Sequence, residues 1–428
     1  MRLELVKIEI KDVRFGERAG VENGVLYIDK EEITALVLED EHIRSVGIEL
    51  ARPGEEIRIT PVKDVIEPRA KVSGPGGIFP GFISKVNTTG EGVTQTLSGA
   101  AVITCGKIIG FQEGIIDMSG PGADYTPFSK TNNICLVLEP APGITPYEYE
   151  AAARIAGLKA AAKIGSSGAG IKSGEVVVYE TKALSESAAA YPGLPKVAYV
   201  YMLQSQGLLH DTYVYGVDAK RILPTLIYPT EVMDGAIVSG NCVSACDKNT
   251  TYHHQNNPVI KELFARHGAD FNFAGVILTN ENVYLADKER SSDWTAKLCG
   301  YLGLDAVIIS AEGFGNPDTD LIMNCRKIEA AGIKTVLITD EYAGRDGGSQ
   351  SLADADAAAD AVVTGGNANE VVVLPPMKKI IGTTDYVGNI AGGFDGSLRA
   401  DGSIEAEIQV ITGATNELGF NKMSAVTE

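Results

Sequence analysis

The stretch Ser239-Gly240-Asn241-Cys242-Val243-Ser244-Ala245-Cys246-Asp247-Lys248-Asn249, followed by Tyr252-His253-His254, concentrates side chains able to do chemistry. Three readings compete for it. The plainest is a surface loop. The second is a zinc site, with Cys242 and Cys246 preceding adjacent histidines, although structural zinc thiols usually sit closer in sequence and neighbouring histidines seldom share one ion. The third is backbone chemistry. A cysteine thiol attacks the carbonyl before it, here that of Asn241, and turns an amide into a thioester with a far better leaving group. Gly240 lowers the steric barrier to the distorted backbone this needs. Removal of the Cα proton of Cys242 then expels a thiocarboxylate and leaves dehydroalanine, which passes through an imine to a pyruvoyl group, and one chain becomes two. Generic residue statistics do not choose among the three.

The surrounding chain has to position that segment. From Phe273 onward the pattern is regular: strand Gly275 to Leu278, helix Asp287 to Leu302, strand Ala306 to Ile309, helix Pro317 to Ala331 and strand Thr335 to Ile338. An alanine-rich helix near 352 to 361, then Val362-Val363 and Val371 to Val373, continue the alternation. Fully apolar strands alternating with helices indicate a doubly wound α/β half with a parallel sheet. Ligands in such sheets sit at the carboxyl ends of the strands. The corresponding loops are Thr279 to Asn282, Ser310 to Asn316 and Thr339 to Tyr342, each carrying a carboxylate. They read either as helix-capping loops or, together, as the rim of a site.

The first 70 residues read as a β-rich start: Val6 to Ile10 alternates, Gly24 to Ile28 follows a turn, and Ile43 to Ile59 holds two more strand-like runs. A helix begins at Thr145-Pro146-Tyr147-Glu148, which has a capping threonine, a proline for the first turn and the glutamate of a capping box. It extends to about Ile164. The following Gly165 to Gly170 could be taken for a phosphate loop, but no strand plainly leads in and no strong helix follows, so it reads as a flexible linker. Val197 to Tyr201 reads as a buried strand.

Composition narrows the partners. With 37 Lys and Arg against 56 Asp and Glu, a formal charge of -19 argues against nucleic acid and anionic lipid. No run approaches the roughly 18 apolar residues of a membrane span, and the amino terminus lacks the core of a signal peptide, so a cytoplasmic location is expected. The 6 cysteines are too sparse for a disulfide scaffold.

The chain resembles the proproteins of component B of the glycine, sarcosine and betaine reductases over essentially its whole length. The resemblance is carried by Cys105-Gly106-Lys107-Ile108, the stretch from Phe111 to Phe128, Gly207 to Tyr213, Ser239 to Lys248, and Phe314-Gly315-Asn316-Pro317-Asp318-Thr319-Asp320. It implies cleavage between Asn241 and Cys242 into a β chain of 1–241 and an α chain of 242–428 that begins with a pyruvoyl group made from Cys242. It further implies a pyruvoyl-dependent reductive deamination of glycine. The amine forms a Schiff base with the pyruvoyl carbonyl, which weakens the carbon–nitrogen bond. A partner selenolate then attacks the α carbon, releasing ammonia and leaving a carboxymethyl group on selenoprotein A. Component C converts that group to acetyl phosphate, and the thioredoxin system restores the partner.

The implied assembly is a hetero-oligomer of α, β and γ chains, the γ chain being the selenoprotein subunit of component B. No metal is implied. On this mechanism His210, His253 and His254 are candidates for proton transfer, and Lys248 and Arg290 for the substrate carboxylate; a surface or hydrogen-bonded role is the alternative for each. Rival readings are a sarcosine- or betaine-specific component B, a non-catalytic scaffold subunit of the same complex, and a pyruvoyl-dependent decarboxylase.

Overall fold

Ile57–Ile66 runs as a strand in which every residue is buried. Its sheet has the order Gly114–Asp117, Ile57–Ile66, Ala100–Cys105, Asn132–Pro140, Ile43–Ala51. Both faces are covered. Ile57, Ile59 and Val65 pack with Ala101, Ile103 and Cys135, whereas Ile66, Val102 and Ile134 pack against the helix Pro146–Ser166. A second, four-stranded sheet pairs Arg2–Glu9 with Glu175–Glu180 and Gly92–Ser98. The computed structural model describes residues 1–109, 113–171, 174–207, 209–241 and 249–418.

The long helix starts where its capping box predicts. Glu148 N–H donates to Thr145 Oγ1 at 3.3 Å, and Thr145 N–H donates to the Glu148 carboxylate at 2.7 Å. Its small residues let it lie close on the sheet. A methyl at Gly157 would stand 2.6 Å from Thr104 Cγ2, and one at Gly165 would run into the carbonyl of Arg69. Gly165 is therefore a packing residue inside the helix, which continues to Ser166, and not the start of a linker.

The second half is built as the alternation predicts: a largely parallel sheet, with helices on both faces. The order is Thr225–Ile227, Asn272–Asn280, Lys196–Leu203, Ala306–Ser310, Lys334–Glu341, Val362–Asn367, and only the first of these strands is antiparallel. Side chains of Lys196–Leu203 divide by parity. Tyr199, Tyr201 and Leu203 meet Val259, Ile260 and Leu263 of the helix Pro258–Arg266. Ala198, Val200 and Met202 meet Cys299, Leu321 and Ile328 from the helices Leu285–Leu302 and Asn316–Ala330. Because the chain adds Asn272–Asn280 on one side of Lys196–Leu203 and Ala306–Ser310 on the other, the carboxyl end of Lys196–Leu203 is the topological switch point.

Two expectations fail. Residues 352–361 form turns, not a helix. Aspartate side chains take the backbone amides there: Ala353 N–H goes to Asp318 at 2.6 Å, Ala355 N–H to Asp354 at 2.9 Å and Ala358 N–H to Asp356 at 2.9 Å. Val371–Leu374 is a strand, but it leaves the parallel sheet and pairs antiparallel with Ile404–Glu407. Conversely, Lys379–Gly382 returns to the first half and adds to Ile57–Ile66.

Gly165→Ala is expected to lower stability by about 1–3 kcal/mol, because a backbone carbonyl has to move. Gly193→Ala, with open space at the same atom, is expected to be near neutral. Urea midpoints of the two variants check this.

Candidate active site

The segment singled out for chemistry follows the strand Ile237–Asn241. That strand is an edge, paired on one side with His210–Val214 so that His210 stands opposite Asn241 and Thr212 opposite Ser239. Cys242, Cys246 and Lys248 lie outside the described residues. The chain is described again from Asn249, and the helix Thr251–Gln255 follows at once.

Both flanks of the segment are tied to the first sheet. Ser239 N–H donates to Thr251 Oγ1 at 3.0 Å, and that hydroxyl donates to Asp64 Oδ2 at 2.7 Å. Thr251 N–H donates to Asp64 Oδ1 at 2.9 Å. At the other end of the short helix, Gln255 Oε1 accepts from Glu67 N–H at 2.9 Å and the Gln255 carbonyl accepts from Arg69 at 3.1 Å. All six residues are buried.

The two neighbouring histidines have separate surroundings. His253 stands at the position of a capping-box glutamate: its Nδ1 accepts from Thr250 N–H at 3.0 Å, and its ring meets Phe128 edge-on at 5.4 Å. Burial holds its pKa down to about 3, so it is neutral at physiological pH. His254 Nδ1 lies 2.7 Å from the hydroxyl of Tyr201. Burial, then Tyr199, Glu312 and Glu417, push the Tyr201 phenol well up, so the hydroxyl keeps its proton. Asn249 Nδ2 donates to the same oxygen at 3.2 Å, which leaves the phenol proton for His254. Asn249 also donates to Glu417 at 2.7 Å and accepts from Asn416 at 2.7 Å. Arg290 sits on an exposed helix face beside Asp287 at 2.5 Å.

Two of the three expected loop carboxylates converge at the switch point. Glu312 N–H donates to Glu281 Oε1 at 3.1 Å, and Glu312 Oε1 accepts from Asn249 N–H at 2.7 Å. Gln204, with its amide nitrogen turned toward them, donates to the Glu312 carbonyl at 2.8 Å and to the Glu281 carboxyl. Burial, then Glu312, Asp320 and Glu417, push the Glu281 carboxyl well above its usual range. Lys288 pairs with Asp320 beside this group. A cavity of about 250 Å³ opens next to Glu281, lined also by Ser205, Gln206, Lys220, Asn282 and Tyr284. The third loop turns elsewhere. Glu341 accepts from Thr364 Oγ1 at 2.6 Å and Ser351 Oγ at 3.0 Å, and Tyr342 stacks on Phe314 at 3.8 Å. Among the described residues no group of three or more His, Cys, Asp or Glu is arranged to hold a metal ion.

Asp64, Thr251 and Tyr201 were not expected in this site, and Asn249, inside the segment singled out, was given no role of its own. No sequence signal singled out Asp64, because the strand Ile57–Ile66 also carries Arg58 and Lys63.

A histidine held at about 3 against its ordinary 6.5 contributes stability that is present above 6.5 and lost as pH falls toward 3. Glu281, shifted upward, acts in the opposite sense and loses its contribution as pH rises above 4.5. His253→Gln keeps a capping side chain and removes only the first effect. Its stability, read by urea titration, is expected to fall less steeply than the parent's across that window, the difference approaching roughly 1.4 kcal/mol per pH unit.

Residues 1–426 match the family of glycine/sarcosine/betaine reductase component B subunits. The chain is 70% identical over all of both chains to the "Glycine reductase complex component B subunits alpha and beta" of Acetoanaerobium sticklandii. It is 68% identical to the protein of the same description from Peptoclostridium acidaminophilum, covering 99% of each. It is 61% identical to the "Sarcosine reductase complex component B subunit alpha" of the latter organism, again over 99% of each. No solved structure matches it. The chain thus belongs to the glycine/sarcosine/betaine reductase component B family, a family of oxidoreductase subunits.

Proposed function

We propose that this chain is the substrate-activating part of a glycine reductase, made as one chain and cut between Asn241 and Cys242 into a β piece of 1–241 and an α piece of 242–428. The observation that carries this reading is the 70% identity over the full length of a glycine reductase component B chain. Identities of 61% to a sarcosine and 40% to a betaine counterpart put glycine first among substrates.

The cut follows from the residues at the junction. The Cys242 thiol adds to the Asn241 carbonyl; the carbon–nitrogen bond opens, a carbon–sulfur bond forms, and the freed amine takes the thiol proton. Loss of the Cys242 Cα proton with scission of its Cβ–S bond releases a thiocarboxylate on Asn241. Water then replaces the remaining imine nitrogen, which leaves as ammonia. The pyruvoyl group so made supplies an electrophilic carbonyl that takes a substrate amine and draws electrons from the adjacent carbon–nitrogen bond.

The buried carboxyls suit the proton traffic this requires. Burial and neighbouring carboxyls shift Glu281 toward its protonated form, and Glu312 connects it to the amide of Asn249, beyond the cut. Among the histidines, His210 is favoured for proton transfer because its strand position faces Asn241, whereas the Nδ1 of His253 caps a helix. Lys248 remains the candidate for the substrate carboxylate.

The carbon nucleophile comes from a partner. Cys105, Cys135, Cys299 and Cys325 are buried thiols, Cys242 loses its sulfur, and Cys246, outside the described residues, is given a structural role on this reading. On this reading the partners are the γ selenoprotein subunit of component B, selenoprotein A that receives the carboxymethyl group, component C that forms acetyl phosphate, and the thioredoxin system. The assembly is cytoplasmic. No helix among the described residues is long and apolar enough to cross a membrane.

Denaturing mass spectrometry of protein from its native host is expected to give two chains that divide between 241 and 242, the second beginning with a carbonyl-blocked residue. A single intact chain overturns the reading. Borohydride trapping with labelled glycine, sarcosine and betaine in turn is expected to mark the residue derived from Cys242 with glycine best. Label on any other residue refutes the assignment. Because strands from both pieces alternate in one sheet, the two chains are expected to co-migrate on a native gel and to part only in denaturant.

A further inference from the structure

We propose that Thr251 and Asp64 are positioning residues for the break at Asn241–Cys242, an inference that rests on the cleavage reading above. Attack of a thiol on the preceding carbonyl needs the reacting atoms held at near-contact distance, and a strand end that slides loses that geometry. Ile237–Asn241 is an edge strand: its pairing with His210–Val214 uses one side only. Among the described residues no strand stands on the other side to bond the outward Ser239 N–H. Thr251 Oγ1 takes the place of that strand at 3.0 Å, just upstream of the bond to be broken.

Thr251 belongs to the far side of the segment. Its hydroxyl accepts from one flank of the break while its own backbone belongs to the other, so a single side chain fixes where the two flanks stand relative to each other. Asp64 fixes Thr251 in turn, through the hydroxyl at 2.7 Å and the amide at 2.9 Å. The direction of the chain of bonds is set by the carboxylate. With Asp64 accepting, the hydroxyl proton points at Asp64 and a lone pair at Ser239 N–H. All three residues are almost completely buried, Ser239 at 1%, Thr251 at 0% and Asp64 at 2% exposure, so water cannot replace a lost bond. Asp64 lies in Ile57–Ile66, the strand buried on both faces. The anchor is thus the least movable part of the first sheet.

The test is the rate at which freshly synthesised full-length chain converts to two chains, followed by denaturing electrophoresis, with folding of each variant checked by near-ultraviolet circular dichroism. Thr251→Val keeps the shape and removes the hydroxyl; its conversion is expected to slow at least tenfold. Thr251→Ser keeps the hydroxyl and loses a buried methyl, and is expected to stay within threefold of the parent. Asp64→Asn is expected to slow at least tenfold while folding. A role in stability alone would make conversion of the folded chains indifferent to the hydroxyl. Folded Thr251→Val converting at the parental rate overturns the inference. If Thr251→Val is recovered unfolded, Asp64→Asn decides: folded and parental in rate, it overturns the inference as well. A parent chain that never divides defeats the cleavage reading itself and this inference with it, whereas a parent that divides alongside fast variants defeats the inference alone.

Discussion

The strand Lys196–Leu203 is the axis on which the second half of the molecule depends. It hydrogen-bonds Asn272–Asn280 along one edge and Ala306–Ser310 along the other, and its alternate side chains fill two separate cores. The parallel sheet formed after Asn241 is thus built around a strand that precedes it. The reverse also holds, since Lys379–Gly382 completes the sheet of the first half. Residues on the two sides of Asn241–Cys242 are therefore not two domains joined by a cleavable linker. They are interleaved, and the burial that holds them together far exceeds what one backbone bond contributes.

That arrangement sets the electrostatics of the site. The switch point places the ends of Lys196–Leu203, Asn272–Asn280 and Ala306–Ser310 side by side, and each is followed by a polar residue: Gln204, Glu281 and Glu312. Carboxyls this deeply buried cannot all be charged, because removing a carboxylate from water is costly unless it is paired. One cation, Lys288, is engaged by Asp320. The compromise is visible in Glu281, whose carboxyl is pushed toward its protonated form and which serves both as acceptor for Glu312 N–H and as partner to Gln204. A purely structural sheet end would be better served by neutral side chains. Retaining acids where a proton must be given and taken is consistent with chemistry at this rim.

The sequence exposed the parallel sheet because fully buried strands are continuous apolar runs and their helices have ordinary length. Gly275 to Leu278, Ala306 to Ile309 and Thr335 to Ile338 were legible for that reason, and the helix at Pro146 was legible from its caps. The segment 352–361 was misread because alanine content suggests helix, while Asp354 and Asp356 bind local amides and no apolar stripe offers a packing face. Glu281 and Glu312 could be placed in loops at strand ends, but their meeting could not be seen, because it depends on strand order. Thr251 and Asp64 were invisible for the same reason. They are far apart in sequence, and each is unremarkable until the helix Thr251–Gln255 is docked on Ile57–Ile66.

The interleaving also fixes an order of events on the proposed reading. The Ser239–Thr251–Asp64 bonds exist only when the strand Ile237–Asn241, the helix Thr251–Gln255 and the first sheet are assembled together. The first sheet in turn takes Lys379–Gly382 from far down the chain. A geometry that activates Asn241–Cys242 thus arises only after most of the molecule has folded, and an unfolded or half-made chain lacks it. Cutting afterwards leaves the bond between Ser239 and Thr251, on either side of the cut, in place. On that reading the fold is the condition for making the cofactor, which is then formed in the place where it is to be used.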